Sequence, residues 1–192
     1  MIESPEIEEY PCFIPLKKRE STKFLVVHCA ATRNLEKIDR RAIDQMHRNQ
    51  GWLCIGYHFV IKTDGTIQRG RPIDAIGSHI KGHNADSVGI CLVGGVDSSG
   101  KSCNNFTDAQ MTSLKELLDY LLYVYPDCEV LGHRDFAGVA KDCPCFDVKA
   151  WYKKPVYVKY DGTMPKYDMS NADFVKINGS GPYAAGELLR VA

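Results

Sequence analysis

No charge of one sign dominates this chain: its 192 residues carry 24 Lys and Arg against 24 Asp and Glu. Nucleic-acid binding usually shows as a clustered positive excess, so direct contact with nucleic acid is not expected. Long hydrophobic runs are missing too, and nothing approaches the roughly 20 apolar residues of a membrane span. The N-terminus lacks an apolar stretch. Its opening MIESPEIEEYPCF carries Glu3, Glu6, Glu8 and Glu9, unlike a secretory signal or a transit peptide. Synthesis in a cytoplasm is the expectation that follows, and cytoplasmic thiols stay reduced. The eight cysteines therefore read first as thiols. Cys29, Cys54 and Cys91 lie in or beside apolar segments, where a thiol serves as a small hydrophobe. Internal repeats and low-complexity tracts are absent.

What is present suits one domain, since a chain this long buries about two-thirds of its unfolded surface without disulfide staples. Residues 1–20 are charged and proline-punctuated and read as a loosely ordered arm. Phe24 to Val27 is an apolar run that suits a strand buried on both faces, ending at His28. Ala42, Ile43 and Met46 recur at helical spacing before Gly51. Tyr57 to Lys62 reads as a strand, Thr63-Asp64-Gly65-Thr66 as a hairpin turn, and Ile67 to Arg69 as the returning strand. Val88 to Val93 is another buried strand. A helix begins after Thr107, where Gln110 completes a capping box. Met111, Leu114, Leu118, Leu121 and Tyr125 mark one helical face, which Leu117 and Leu122 widen. Val130-Leu131 then delivers His133. Strands interleaved with two helices give an α/β class, a mixed central β-sheet flanked by helices, over residues 21–152. Residues 153–192 form an extension of unassigned role.

Most of the six histidines suggest packing. His47 lies on the first helix, and His58 follows Tyr57, so on a strand the two would face opposite sides. His28 and His133 differ because each ends an apolar strand, where sites on open α/β sheets gather. His133 opens Gly-His-Arg-Asp, and Cys143 follows ten residues later within Lys-Asp-Cys-Pro-Cys-Phe-Asp. Two imidazoles and a thiolate match a catalytic zinc set, which leaves its fourth position for water. Spacing alone leaves other readings open. Two core histidines with a buried thiol is one. A cysteine hydrolase with Cys143 as nucleophile and His28 or His133 as base is another.

The motifs narrow this. Val-His-Cys-Ala-Ala-Thr at 27–32, Gly-Trp-Leu-Cys-Ile-Gly-Tyr-His-Phe at 51–59 and Ser-Val-Gly-Ile-Cys-Leu-Val-Gly-Gly at 87–95 stand in order. With them come Arg-Glu-Ser-Thr at 19–22, Gly-Ser-His-x-Lys-Gly-x-Asn at 77–84 and Cys-Pro-x-Phe-Asp at 143–147. Over roughly residues 17–152 the chain resembles the type-2 N-acetylmuramoyl-L-alanine amidases, and among them the small phage lysozymes. The resemblance implies a peptidoglycan-recognition-like fold and one zinc ion per chain, held by His28, His133 and Cys143. It implies hydrolysis of the bond between N-acetylmuramoyl residues and L-alanine by a zinc-bound water. It also implies catalytic roles for Tyr57 and Lys141. Lys141 would stabilise the developing oxyanion, and Tyr57 would position water or relay a proton. His79 and Asn84 fall in a run that borders the family's substrate groove, so substrate contact is expected there.

Two departures matter. Cys91 stands where many relatives carry a glutamate, which removes one candidate base. Cys145 offers a rival thiolate, although Cys143 holds the ligand position before Pro144. Likeness to phage lysozymes further implies peptidoglycan as the partner, a holin for access to the wall, and phage RNA polymerase as an alternative binding target. A monomer acting on the wall after synthesis in the host cytoplasm is the remaining expectation.

Overall fold

The computed structural model describes residues 4–10, 13–33, 35–154, 156–159 and 188–191. Residues Ser4–Tyr152 form one compact unit, and the residues from Lys153 onward belong to another. In the larger unit β1 (Ile7–Glu8), β2 (Phe24–Cys29), β3 (Phe59–Ile61), β4 (Ile67–Arg69), β5 (Ser87–Leu92) and β6 (Glu129–Gly132) make one sheet. Its order is β1-β4-β3-β5-β2-β6. Only the β3–β4 hairpin is antiparallel; β1–β4, β3–β5, β5–β2 and β2–β6 are parallel. The expected mixed sheet is present, and the strand-end histidines follow from it. His28 stands in register with Cys91, and Gly132 pairs with Val27, so His133 emerges beside His28.

Alternation along the strands splits the interior in two. Leu25, Val27, Phe59, Ile61, Val88, Ile90 and Leu92 point to one face, where helix α2 (Asp108–Val124) seals them with Leu114, Leu117, Leu118, Leu121 and Leu122. Each such side chain contributes roughly 1.5–3 kcal/mol on burial. Val60, Cys91 and Val93 point to the other face, against Ile43, Ala42 and Met46 of helix α1 (Arg40–Asn49). The capping box at Thr107 and Gln110 forms as expected. Gln110 does more: fully buried, its amide donates to the carbonyls of Ile61 (3.1 Å) and Val93 (2.9 Å), pinning the start of α2 to two strands. A one-turn helix α3 (Val148–Trp151) adds Val148 to the α2 side.

The sequence suggests a loose arm before residue 21. Instead, β1 pairs with β4 as an edge strand. Ile7 packs on the core, and Glu9 and Arg69 form an ion pair at 3.0 Å. The reason is local: Gln68 is buried on β4, and its amide donates to Glu8 at 2.7 Å, a partner that only the arm supplies. In the smaller unit β7 (Val156–Lys159) and β8 (Leu188–Val191) pair as an antiparallel ladder; the remainder of the 153–192 extension lies outside the described residues. No helix among the described residues is long and apolar enough to cross a membrane.

Candidate metal centre

The end of β2 and the end of β6 place His28 and His133 with ring centroids 4.6 Å apart. The chain then runs from His133 through a short helical turn and returns, held by the Arg134 amide donating to the Cys143 carbonyl at 2.8 Å. This return brings Cys143 Sγ to 3.9 Å from His28 Nδ1. The Cys29 amide donates to the same sulfur at 3.2 Å, fixing its position from the strand side. One ligand atom from each of His28, His133 and Cys143 lies within 4.8 Å of the others. Tetrahedral zinc with bonds of about 2.0–2.3 Å asks for ligand separations of about 3.5 Å, so the set fits with shifts of a fraction of an ångström to about one. The donor chemistry fits as well. Burial holds the His28 imidazole well below its usual basicity, and the nearby charges of His133 and Lys141 add to this. Burial and the Lys141 charge lower His133 in the same way. Both rings are therefore neutral at ordinary pH, as metal ligands must be.

Cys145, the rival thiolate, is directed elsewhere. Its thiol donates to the Gly95 carbonyl at 3.1 Å and lies 3.8 Å from Cys29 Sγ. Burial pushes its pKa up to about 11. Neither it nor Cys29 joins the three-residue cluster.

Tyr57 comes to the centre, its ring 5.1 Å from that of His28 and 5.3 Å from that of His47. Burial, reinforced by the neighbouring thiol of Cys91, pushes its hydroxyl well above the usual range, so it remains an O–H donor. Lys141 is exposed on the returning loop, yet its charge is felt at both His28 and His133. The regular strand β3 begins only at Phe59, so Tyr57 and His58 precede it. Both rings lie near His79, with centroids 6.3 and 5.8 Å from it. His58 is a core residue. Its Nδ1 accepts from the Gly89 amide at 2.9 Å and its Nε2 lies 2.9 Å from the Ala75 carbonyl. His47 is a packing residue, accepting from the Gly56 amide at 3.0 Å beneath Trp52.

His79 and Asn84, expected to touch substrate, both have protein neighbours. His79 is only 8% exposed. Its Nδ1 lies 3.0 Å from His28 Nε2, and its Nε2 lies 3.3 Å from Ser87 Oγ, so both ring nitrogens have protein neighbours. The Asn84 side-chain oxygen accepts from the amides of His79 (2.7 Å) and Ile80 (2.9 Å) and orders the loop. Sequence reading missed the His28–His79 contact because it joins residues on different segments; only the small residues at Gly77 and Gly89 hint at a ring nearby.

Residues 18–146 match the family model described as N-acetylmuramoyl-L-alanine amidase. The chain belongs to this family. Among curated proteins it is similar to the endolysin of Escherichia phage T7, with 48% identity over 148 residues, covering 77% of this chain and 97% of that protein. Among solved structures it is similar to the endolysin N-acetylmuramoyl-L-alanine amidase LysCS from Clostridium intestinale, with a TM-score of 0.64 and 36% identity over 75% of this chain and 90% of that one. Drosophila PGRP-LB shares the fold, with a TM-score of 0.61 at 22% identity over 72% of this chain and 87% of that one.

Proposed function

We propose that the chain is a zinc-dependent phage endolysin, cleaving the amide between the N-acetylmuramoyl lactyl group and L-alanine in peptidoglycan. The observation that carries the metal assignment is the convergence of His28, His133 and Cys143 at adjoining strand ends in a chain of this family. Zinc held there supplies an acidified water and a Lewis acid for the scissile carbonyl. The chain's own residues do the rest. Tyr57, kept protonated beside His28, donates its hydroxyl to the reacting oxygen or to the water and steers the proton. Lys141, exposed on its loop, offers positive charge to the carbonyl oxygen as it becomes an oxyanion. Cys91 has no carboxylate to lend, and burial pushes its thiol far up, so it serves as packing beside Tyr57 rather than as a base.

The decisive experiment measures bound zinc together with release of L-alanine-terminated peptides from purified wall. Stoichiometric zinc, with release abolished by a chelator and restored by zinc, is expected. Release that survives chelation would instead favour Cys143 as a nucleophile, for which the 3.9 Å approach of His28 Nδ1 provides a base. The wall substrate lies beyond the cytoplasmic membrane, so a holin-type partner is part of this reading. Binding of phage RNA polymerase draws no support from residues 17–22. Arg19 there is committed internally, donating to the Ala75 carbonyl (3.0 Å) and to Thr22 (2.9 Å).

A further inference from the structure

We propose that His79 is a positioning residue for the metal centre: it fixes the tautomer of His28 so that the Nδ1 lone pair faces His133 and Cys143. The inference rests on the zinc reading above, but its geometry can be argued without the metal. Start from the far end of a chain of contacts. The His83 carbonyl can only accept, and Ser87 Oγ lies 2.5 Å from it, so the serine hydroxyl must spend its proton there. The serine oxygen is then an acceptor for the next neighbour, His79 Nε2 at 3.3 Å, which must carry the imidazole proton. With its proton on Nε2, His79 presents a bare Nδ1, and that atom accepts from His28 Nε2 at 3.0 Å. His28 therefore carries its proton on Nε2 and keeps Nδ1 bare. Nδ1 is the atom that approaches Cys143 Sγ. A single proton assignment satisfies all three links, and its direction is set by a backbone carbonyl that cannot reverse.

The His79 ring is also held in place by absence of bulk around it. A side-chain carbon at Gly89 would lie 2.6 Å from His79 Cγ and Cδ2, and one at Gly77 would lie 2.5 Å from Cδ2. Two strand and loop positions are thus emptied to admit one ring. Asn84 clamps the backbone that carries it, through the amides of His79 and Ile80. Partners behind a ligand histidine orient the ring and raise its affinity for metal, typically by about 10–100-fold.

The test uses the full chain and two readouts: the proton position on His28, by long-range ¹⁵N imidazole spectra of the metal-free protein, and zinc affinity by competition with a chromophoric chelator. The expected wild-type spectrum has the His28 proton on Nε2. His79→Leu should release that preference and weaken zinc binding by about 10–100-fold. His79→Asn should restore most of the affinity, because its side-chain oxygen stands near the lost Nδ1. Ser87→Ala should give a smaller loss, and it decides the matter if His79→Leu does not fold. Three results would overturn the proposal: a wild-type His28 proton on Nδ1, zinc affinity unchanged in both His79→Leu and Ser87→Ala, or a KM rise in His79→Leu with zinc affinity intact. The last would return His79 to a substrate contact. Failure of the wild-type chain to take up zinc, with the His28 proton on Nε2, would sink the functional reading and leave the tautomer assignment standing.

Discussion

On one face of the sheet, β2, β3 and β5 present Leu25, Val27, Phe59, Ile61, Val88, Ile90 and Leu92, sealed beneath α2. On the other, the same strands present His28, Val60, Gly89 and Cys91. The first face is filled with branched aliphatic volume and contains almost nothing that can titrate. The second gives up volume at Gly89 and Cys91, and the room is taken by imidazoles. His79 sits there edge-on to both His28 and His58, with centroids 5.0 and 5.8 Å away. Burial makes the aliphatic face cohesive and makes the imidazole face neutral, since low polarity disfavours the charged ring. The same desolvation thus gives stability on one side and usable lone pairs on the other.

Removing one group at a time separates the two faces. The largest expected effect is at the centre itself: Cys143→Ser should lose stoichiometric zinc and drop peptide release to background, while the metal-free protein unfolds in urea much as before. Full activity with full zinc would break the assignment and reopen Cys145. Next come the groups around the metal. Tyr57→Phe should lower turnover by about 10²–10⁴-fold, and Lys141→Met by about 10²–10³-fold, each with zinc content unchanged. Zinc loss in either would move that residue from chemistry to metal retention. On the aliphatic face, Leu118→Ala, at a fully buried position, should cost about 2–5 kcal/mol of unfolding free energy. Its folded fraction should retain full turnover.

The last effect is silent at neutral pH and opens only in acid. His58 keeps a pKa of about 3 when folded, against an ordinary 6.5, because it is buried. Below pH 6.5 the unfolded chain takes up a proton that the folded chain refuses until about pH 3. Stability should hold above that window and fall through it, by up to about 1.4 kcal/mol per pH unit. Urea unfolding of wild type and His58→Gln across this range should show a shallower slope in the variant. Parallel slopes would mean that His58 does not belong to the acid-sensitive face.

Much of this division can be read from the sequence, and the part that cannot has a physical reason. His28 and His133 stand out because each terminates an apolar run, and strand ends are where parallel sheets open to solvent. The α2 face follows from leucines at helical spacing, with the Thr107 cap marking its start. Choosing Cys143 over Cys145 took family resemblance, since two thiols separated by one proline look alike until the returning loop aims one at the histidines and the other at Gly95. The sequence places His79 in a loop near the site but does not reveal its contact with His28. Its partner lies 51 residues away, and no local pattern reports a through-space contact. The arm's charge and prolines suggest looseness, whereas its pairing depends on Gln68, a residue of another strand that local composition does not report.

The position of β2 between β5 and β6 also sets a timetable. β2 is the first long strand made and β6 the last of its sheet, so their pairing closes one of the widest loops in the fold. Contacts between distant segments are slow to form because chain entropy must be surrendered before they reward it. Two of the three side chains that could hold the metal lie beyond that last strand. A chain still emerging from the ribosome therefore holds His28 before its two companions are made, and the three side chains can meet only once β6 and the returning loop exist.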